Sequence, residues 1–163
     1  MNTIDLYDFN KEDELKNWFV VNDGVMGGLS EGKLKINAEG HAEFYGFVSL
    51  ENNGGFSSIR HDFKRIDIAS YSKVKIRIKG DGKRYQLRIK NNRRDYHSYI
   101  FYIQTTTEWQ DIEIPLEEFY PYFRGYKLNK PNFNEDYIEQ FGILIGNKTA
   151  EDFKLIVDRI ELI

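Results

Sequence analysis

Two stretches of the sequence match spacings that are used in catalysis or nucleotide binding, but the residues after each stretch rule out both functions. Residues 28–32 fit the G-x-S-x-G pattern with Ser30 at the centre, but a nucleophilic serine of that kind needs a helix after it. Residues 27–33 fit G-x-x-x-x-G-K, but Leu34 occupies the place of the required Ser or Thr. The alternating residues 33–37 predict a strand instead. We therefore predict neither a hydrolase nor a phosphate-binding loop.

The titratable residues form no recognisable catalytic or metal set. His41, His61 and His97 lie far apart, without the spacing of metal ligands. The absence of cysteine excludes a thiol nucleophile and a disulfide framework. Asp and Glu are plentiful, but their spacing nominates no pair as general acid and base. The prediction is a protein that is not an enzyme, with no catalytic residue, no metal ligand and no cofactor assigned.

Composition predicts a folded chain. Hydrophobic residues make up 40% of the 163, and 12 Phe, 11 Tyr and 2 Trp are enough for a core. The first residues show neither the basic start nor the apolar stretch of a signal peptide, and no apolar run reaches the length of a membrane span. We expect one domain over residues 1–163, cytoplasmic and not inserted in a membrane.

Positive charge is concentrated in the middle of the sequence. Residues 60–94 contain 13 Lys or Arg against 3 Asp, although the formal net charge of the chain is −3. Alternation with apolar residues predicts a half-buried hairpin over 73–90, turning at residues 80–82. Its outer face would carry a cation stripe composed of Lys73, Lys75, Arg77, Arg84 and Arg88. The stripe is either a solvated face neutralised by Asp111 and Glu113, or a surface for an anionic partner.

The remaining pattern is dominated by short strands. Strands are predicted over 33–37, 42–50, 56–63, 96–104, 110–115, 141–145 and 153–163, with Asn-Gly at 53–54 joining 42–50 to 56–63 as a hairpin. Asn10 and Asn134 are candidate caps for short helices over 10–18 and 136–140, and residues 121–131 are predicted irregular. About nine strands without a β-α-β rhythm predict an all-β antiparallel sandwich or barrel.

Ordered blocks of the sequence resemble one protein family. VNDGVMGGLSEG, followed by EFYGFVSLENNGGFSSIR, closely resembles the hallmark of the complex I intermediate-associated protein 30 family. The resemblance continues through RIKGDGKRYQLRIK, Trp109, PLEEF, Phe123-Arg124-Gly125 and FGILIGNK, so it covers nearly the whole chain. It implies a galactose-binding-like jelly-roll β-sandwich. It also implies a non-catalytic assembly factor or chaperone like those of mitochondrial respiratory complex I. Because no transit-like leader is seen, the chain looks like a stand-alone bacterial member.

Two functions are expected from this resemblance and from the residues that carry it. The first is a module that binds a protein partner, such as a respiratory-complex subunit or assembly intermediate, through the glycine-bearing turns at 23–28 and 52–55. The docking residues would be Asp23, Val25, Met26, Gly27, Gly28, Ser30, Asn53, Gly54, Gly55, Phe56, Arg60 and Arg124. The second is a carbohydrate-binding module in which tyrosines at 96, 99 and 102 stack on sugar rings.

Calcium and nucleic acid are two further candidate ligands. The jelly-roll analogy admits a structural calcium ion, for which Asp23 and Asp158 would supply oxygens. Nucleic-acid binding through the cation stripe lacks any recognised motif and is not expected. For the turns themselves the alternative is a purely structural role, with Gly54 or Gly55 at positive φ.

Overall fold

The computed structural model describes residues 3–8, 12–22, 29–51 and 55–163. Thirteen strands lie in these ranges: β1 Ile4–Asp8, β2 Phe19–Asn22, β3 Glu31–Ile36, β4 Ala42–Val48, β5 Ser57–Asp67, β6 Lys73–Lys79, β7 Arg84–Lys90, β8 Ser98–Gln104, β9 Trp109–Pro115, β10 Tyr120–Phe123, β11 Tyr126–Lys127, β12 Tyr137–Ile145 and β13 Glu151–Leu162. Short 3₁₀ helices cover Glu12–Asn17 and Leu116–Glu118.

The strands form two antiparallel sheets packed face to face. The six-stranded sheet has the order β3-β4-β13-β6-β9, with β1 also paired to β13. The seven-stranded sheet has the order β11-β10-β8-β7-β12-β5-β2. Side chains from both inner faces meet in one core, where Phe44, Tyr85, Phe119 and Phe141 are fully buried. The predicted all-β antiparallel sandwich is confirmed.

The predicted hairpin over 73–90 is wrong. β6 pairs with β13 and β9 in the six-stranded sheet, whereas β7 pairs with β12 and β8 in the seven-stranded sheet. The connection therefore crosses from one sheet to the other. Gly80 donates its N–H to the carbonyl of Thr106, and the Asp81 carboxylate accepts from the Tyr85 hydroxyl and the Lys154 backbone N–H. Alternation fixes which face of a strand is buried, but not which strand lies beside it.

The predicted pairing of 42–50 with 56–63 is wrong for the same reason. β4 pairs with β3 and β13, and β5 pairs with β2 and β12, so these neighbours in sequence belong to opposite sheets. The Asn-Gly residues at 53–54 lie outside the described residues. The residues after Gly55 therefore begin a strand of the seven-stranded sheet, whereas β4 belongs to the six-stranded sheet.

Three local expectations are also corrected. Residues 136–140 are not a helix: β12 begins at Tyr137, and its side chains at 138 and 140 are buried within the sheet. Residues 121–131 are partly regular, since β10 and β11 pair around Arg124 and Gly125. The first helix is a 3₁₀ turn over Glu12–Asn17, and Asn10 lies outside the described residues.

Candidate binding groove

The outer face of the seven-stranded sheet brings together three strands that are remote in sequence. Gly142 of β12 lies in register with Arg60 of β5 on one side and with Arg88 of β7 on the other. Side chains in one such row point to the same face of a sheet. Because Gly142 has no side chain, the two arginines flank an open position. A Cβ there would lie 3.3 Å from Cγ of Arg60 and 3.0 Å from the carbonyl oxygen of Ile59.

A groove of about 350 Å³ lies over this row. It is lined by residues of five strands and their adjoining loops: Gly55, Phe56, Arg60, Gln86, Arg88, Lys90, Tyr96, Ser98, Tyr122, Phe123, Arg124, Gly125, Leu144 and Gly146. Four of these are cations, and none is Asp, Glu or His. The groove therefore combines positive charge with aromatic surface.

The arginine of β7 is held by neutral partners. Arg88 donates from Nη1 to Oε1 of Gln86 at 2.9 Å and from Nη2 to Oγ of Ser98 at 3.2 Å. Gln86 is in turn fixed by donating to the Tyr102 hydroxyl at 2.8 Å. Across the row, Nε of Arg60 donates to Oγ of Ser58 at 3.2 Å. These contacts orient both guanidinium groups without neutralising them.

Positive charge in the groove has no carboxylate partner in the described ranges. Neither Arg60, Arg88 nor Lys90 has an acidic oxygen within 4.0 Å there. Lys90 instead donates to the backbone carbonyl of Asp95 at 2.6 Å. Asp62, the nearest acid on β5, accepts from the side-chain amide of Gln140. The three cations thus line one groove without a paired carboxylate in the described ranges.

Burial and mutual repulsion depress the pKa of these groups. Burial, followed by the charge of Arg60, lowers the pKa of Arg88 to about 10. Burial, then the charges of Arg60 and Arg88, lowers the pKa of Lys90, while Asp95 and Asp62 oppose the shift. Burial likewise lowers the pKa of Arg60, with Asp62 opposing. The charge of Arg60 thus disfavours the charge of Arg88, and both arginines disfavour the charge of Lys90.

One wall of the groove comes from the β10–β11 turn. Phe123 packs edge-on against Tyr96, with ring centroids 5.0 Å apart, and Arg124 lies over the Phe123 ring at 5.2 Å. Arg124 and Gly125 both adopt positive φ, at 46° and 86°, which makes the tight reversal. On the opposite side of the groove stands Phe56, partly buried at the entry to β5. Aromatic side chains therefore flank the cations on two sides.

The docking residues predicted from the sequence fall into three groups. Gly55, Phe56, Arg60 and Arg124 all line the groove, although they come from different strands and loops. Ser30 is buried elsewhere, at the start of β3, where its hydroxyl accepts from the Ser49 N–H at 2.9 Å. The others lie outside the described residues: Asp23, Val25, Met26, Gly27, Gly28, Asn53 and Gly54. Four of the twelve predicted docking residues thus line the groove.

The cation stripe is divided between the two sheets. Lys73 and Arg77 lie on the six-stranded sheet, where Lys73 pairs with Glu113 at 3.7 Å and Arg77 with Asp111 at 3.0 Å. Lys75 stands in register with Glu113 and Glu161. For these residues the first of the two interpretations holds, a solvated face that is neutralised by Asp111 and Glu113.

The other two members of the stripe lie on the seven-stranded sheet. Arg84 lies over the ring of Tyr102 at 4.1 Å and donates to the side chain of Asn147 at 3.4 Å. Arg88 belongs to the groove itself. A single continuous stripe over Lys73, Arg77 and Arg88 is therefore wrong, because the crossover at residues 80–83 separates β6 from β7.

Several groove residues were not selected from the sequence. Lys90 was part of the alternating pattern, and Phe123 part of the family resemblance, but neither was assigned to the site. Nothing in the sequence marked Tyr122 and Leu144 as binding residues, because a tyrosine or leucine in a strand usually packs in the core. Of the tyrosines proposed for sugar stacking, Tyr96 lines the groove, whereas Tyr99 is buried against Phe133.

Only one of the two residues considered for a calcium ion, Asp158, lies among the described residues. Asp23 lies outside the described residues, and Asp158 contacts Nδ1 of His41 at 3.2 Å and Nε of Arg77 at 3.6 Å. No three His, Cys, Asp or Glu side chains converge on a metal position within the described ranges. In the same part of the chain, no helix is long and apolar enough to cross a lipid bilayer.

Solved structures define the class of this fold. The family 11 carbohydrate-binding module of the cellulosomal cellulase Lic26A-Cel5E of Clostridium thermocellum superposes with a TM-score of 0.75 at 19% identity, covering 99% of this chain and 94% of that one. The Clostridium thermocellum family 11 module in complex with a β-1,3-1,4-mixed-linked tetrasaccharide gives a TM-score of 0.72 at 20% identity, covering 99% and 95%. The chain therefore has the jelly-roll β-sandwich fold of such modules.

Sequence comparison identifies the family. The model of Complex I intermediate-associated protein 30 (CIA30) matches residues 7–157, and the chain belongs to this family. Mouse "Complex I intermediate-associated protein 30, mitochondrial" is 24% identical over 178 residues. That alignment covers 95% of this chain and 54% of the mouse protein, so the chain spans about half the length of its relative.

Proposed function

We propose that this chain is a non-catalytic binding module of the assembly-factor or chaperone type, which engages a protein partner through the groove on its seven-stranded sheet. The observation that carries the proposal is the convergence of separate family blocks on one groove. Phe56 and Arg60 come from the SLENNGGFSSIR block, Arg88 from RYQLRIK, Arg124 from the Phe-Arg-Gly turn and Gly146 from FGILIGNK.

The composition of the groove favours binding over catalysis. Its described lining offers neither a carboxylate nor an imidazole for proton transfer. Its hydroxyls belong to Tyr and Ser side chains, and the described lining holds no His, Asp or Glu that would activate one of them as a nucleophile. The partner that the family supports is a subunit or an assembly intermediate of a complex that resembles respiratory complex I.

The test is affinity capture from the protein's own cells with matched variants. Phe56→Ala combined with Phe123→Ala removes both aromatic flanks of the groove. Phe47→Ala, a ring that is 41% exposed on the six-stranded sheet, is the control. We expect the double variant to lose a partner that the wild type and the control retain, with all three shown to be folded by thermal melting. Retention of the same partner by the double variant would overturn the proposal.

Carbohydrate binding is the second candidate, and the groove aromatics are the observation that favours it. Tyr96 and Phe123 present rings beside polar groups, which is the combination that sugar recognition uses. Native electrophoresis through gels containing mixed-linked β-glucan separates the two functions. A protein-binding module migrates as it does in plain gels, whereas a glucan-binding module is retarded and recovers its mobility when Phe123 is replaced by Ala.

A further inference from the structure

The cations of the groove lack the partners that such groups normally have inside a protein. Arg60 and Arg88 are partly buried, and in the described part of the chain both are hydrogen-bonded only to neutral oxygens. A desolvated guanidinium without a counter-charge costs free energy. On the six-stranded sheet the same chain pairs Arg77 with both Asp111 and Asp158. Arg60 and Arg88 therefore lack, in the described ranges, the carboxylate partners that a partly buried arginine has on the other sheet.

We infer that the groove recognises a carboxylate side chain on an acidic segment of the partner protein, held between Arg60 and Arg88 over Gly142. The inference rests on the proposed function and names the chemistry of that partner. Strands two apart in a sheet are separated by about 10 Å, so two long arginine side chains can converge on one anion between them. A guanidinium fork matches the two oxygens of a carboxylate.

Gly142 completes this arrangement. It leaves the position between the arginines open, and an added Cβ would press against the stem of Arg60. Lys90 and Arg124 extend the positive surface on either side of the row. One acidic side chain would therefore be bound by the central pair, and neighbouring acids in the segment by the flanking cations.

The size and walls of the groove favour a peptide segment. A volume of about 350 Å³ holds a few side chains and not a folded surface. Phe56 and Phe123 provide apolar contact for a side chain next to the acid. A neutral sugar would bury the cations without supplying a counter-charge, and would leave their desolvation uncompensated.

The experiment is an NMR titration of the ¹⁵N-labelled protein that monitors the arginine Nε–Hε resonances. The probe is a short peptide with glutamates on both sides of one phenylalanine, and the control peptide carries glutamine in place of glutamate. We expect the glutamate peptide to shift the Arg60 and Arg88 resonances and the glutamine peptide to leave them unchanged. Equal shifts with both peptides, or none with either, would overturn the inference.

Variants assign the effect to the groove. Arg88→Met and Arg60→Met should each weaken binding of the glutamate peptide by about tenfold or more, the loss expected for a hydrogen bond between charged groups. Arg77→Met, which removes an equal charge from the other sheet, should change it by less than about twofold. Gly142→Ala should weaken it by displacing Arg60, with Arg88 still present. Unchanged affinity for the glutamate peptide in both groove arginine variants would contradict the inference. If one variant is unstable, the folded variant alone provides this test.

Other ligands are outcomes of the same titration. Oligogalacturonate supplies carboxylates on a sugar, and inorganic phosphate supplies a free anion. If either shifts Arg60 and Arg88 while the glutamate peptide does not, the acidic-peptide assignment is overturned. If no anion binds but Phe56→Ala with Phe123→Ala still abolishes capture of the cellular partner, carboxylate recognition fails and the groove remains the partner site.

Discussion

Replacing Arg88 by Met should stabilise the protein, because the groove holds this charge at a cost. Burial, and then the charge of Arg60, lowers its pKa from the ordinary value of an arginine to about 10. At about 1.4 kcal/mol for each pKa unit, the charged form is disfavoured by about 3 kcal/mol in the folded state. The substitution also removes the hydrogen bonds to Gln86 and Ser98, worth about 1 kcal/mol each. We expect a net gain of about 1 kcal/mol, or about 3 °C in Tm.

The pH dependence of this cost has a definite sign. A basic group whose pKa is lower in the folded state binds fewer protons there, so its charge destabilises the fold at every pH below about 10. This destabilisation decreases only as the pH rises from there toward the ordinary pKa of an arginine. Denaturant titration at pH 7 therefore measures the whole effect, and added salt should reduce it by screening the repulsion from Arg60.

Arg77→Met is the matched control. Its loss removes ion pairs with Asp111 and Asp158 and the contact with the Trp109 ring at 5.0 Å. These exposed interactions are worth up to about 1 kcal/mol, so the control should be neutral or slightly destabilised. Destabilisation of Arg88→Met by as much as Arg77→Met would refute the reasoning, since it would mean that the groove charge is not held at a cost.

Three further predictions concern stability. Gly46→Ala should cost about 3 kcal/mol, because φ is 149° and the new Cβ would overlap the Glu31 carbonyl; an unchanged denaturation midpoint would contradict this. Gly55→Ala should cost about 1 kcal/mol, because φ is 148° while the added Cβ meets only ordinary contacts; the same titration checks it. Burial, then the charge of Lys130, lowers the pKa of His97, so stability should fall as pH drops below about 6.5; the fall should be shallower in His97→Gln, and an identical slope would refute it.

Strand positions could be read from the sequence because alternation records burial. β6 shows this directly: Val74, Ile76 and Ile78 are buried while the lysines and arginine between them are not. The continuous apolar residues 141–145 are indeed a central strand, flanked by β7 and β5. Pro115 ends β9 as predicted, since it has no N–H to donate to a ladder.

Strand pairing could not be read in this way. The turns at 52–55 and 80–82 look like hairpin turns, but both segments lead from one sheet to the other. Long-range partners decide this: β13 recruits β4 and β6, and β12 recruits β5 and β7. Those contacts depend on the packing of the whole sandwich, and a local pattern does not record them.

The groove was therefore predicted only in part. Phe56, Arg60 and Arg124 were selected because they lie in family blocks, whereas Arg88 was assigned to a different surface. Once β7 is placed beside β12, Arg88 faces Arg60 across Gly142. The described docking residues and Arg88 of the charged strand, which were assigned to two different surfaces, thus line one groove. Only the three-dimensional strand order could show this.

The most direct test of the central claim, that the groove is the partner site, is photo-cross-linking in the protein's own cells. A photoreactive phenylalanine analogue is placed at Phe123 in the groove and, in a second strain, at Phe47 on the six-stranded sheet. We predict a discrete cross-linked protein from position 123 that is absent from position 47 and is lost when Arg60 and Arg88 are both replaced by Met. A cross-link from position 47 alone, or none from position 123, would contradict the central claim. A cross-link from position 123 that survives both arginine substitutions unchanged would contradict only the recognition of a carboxylate.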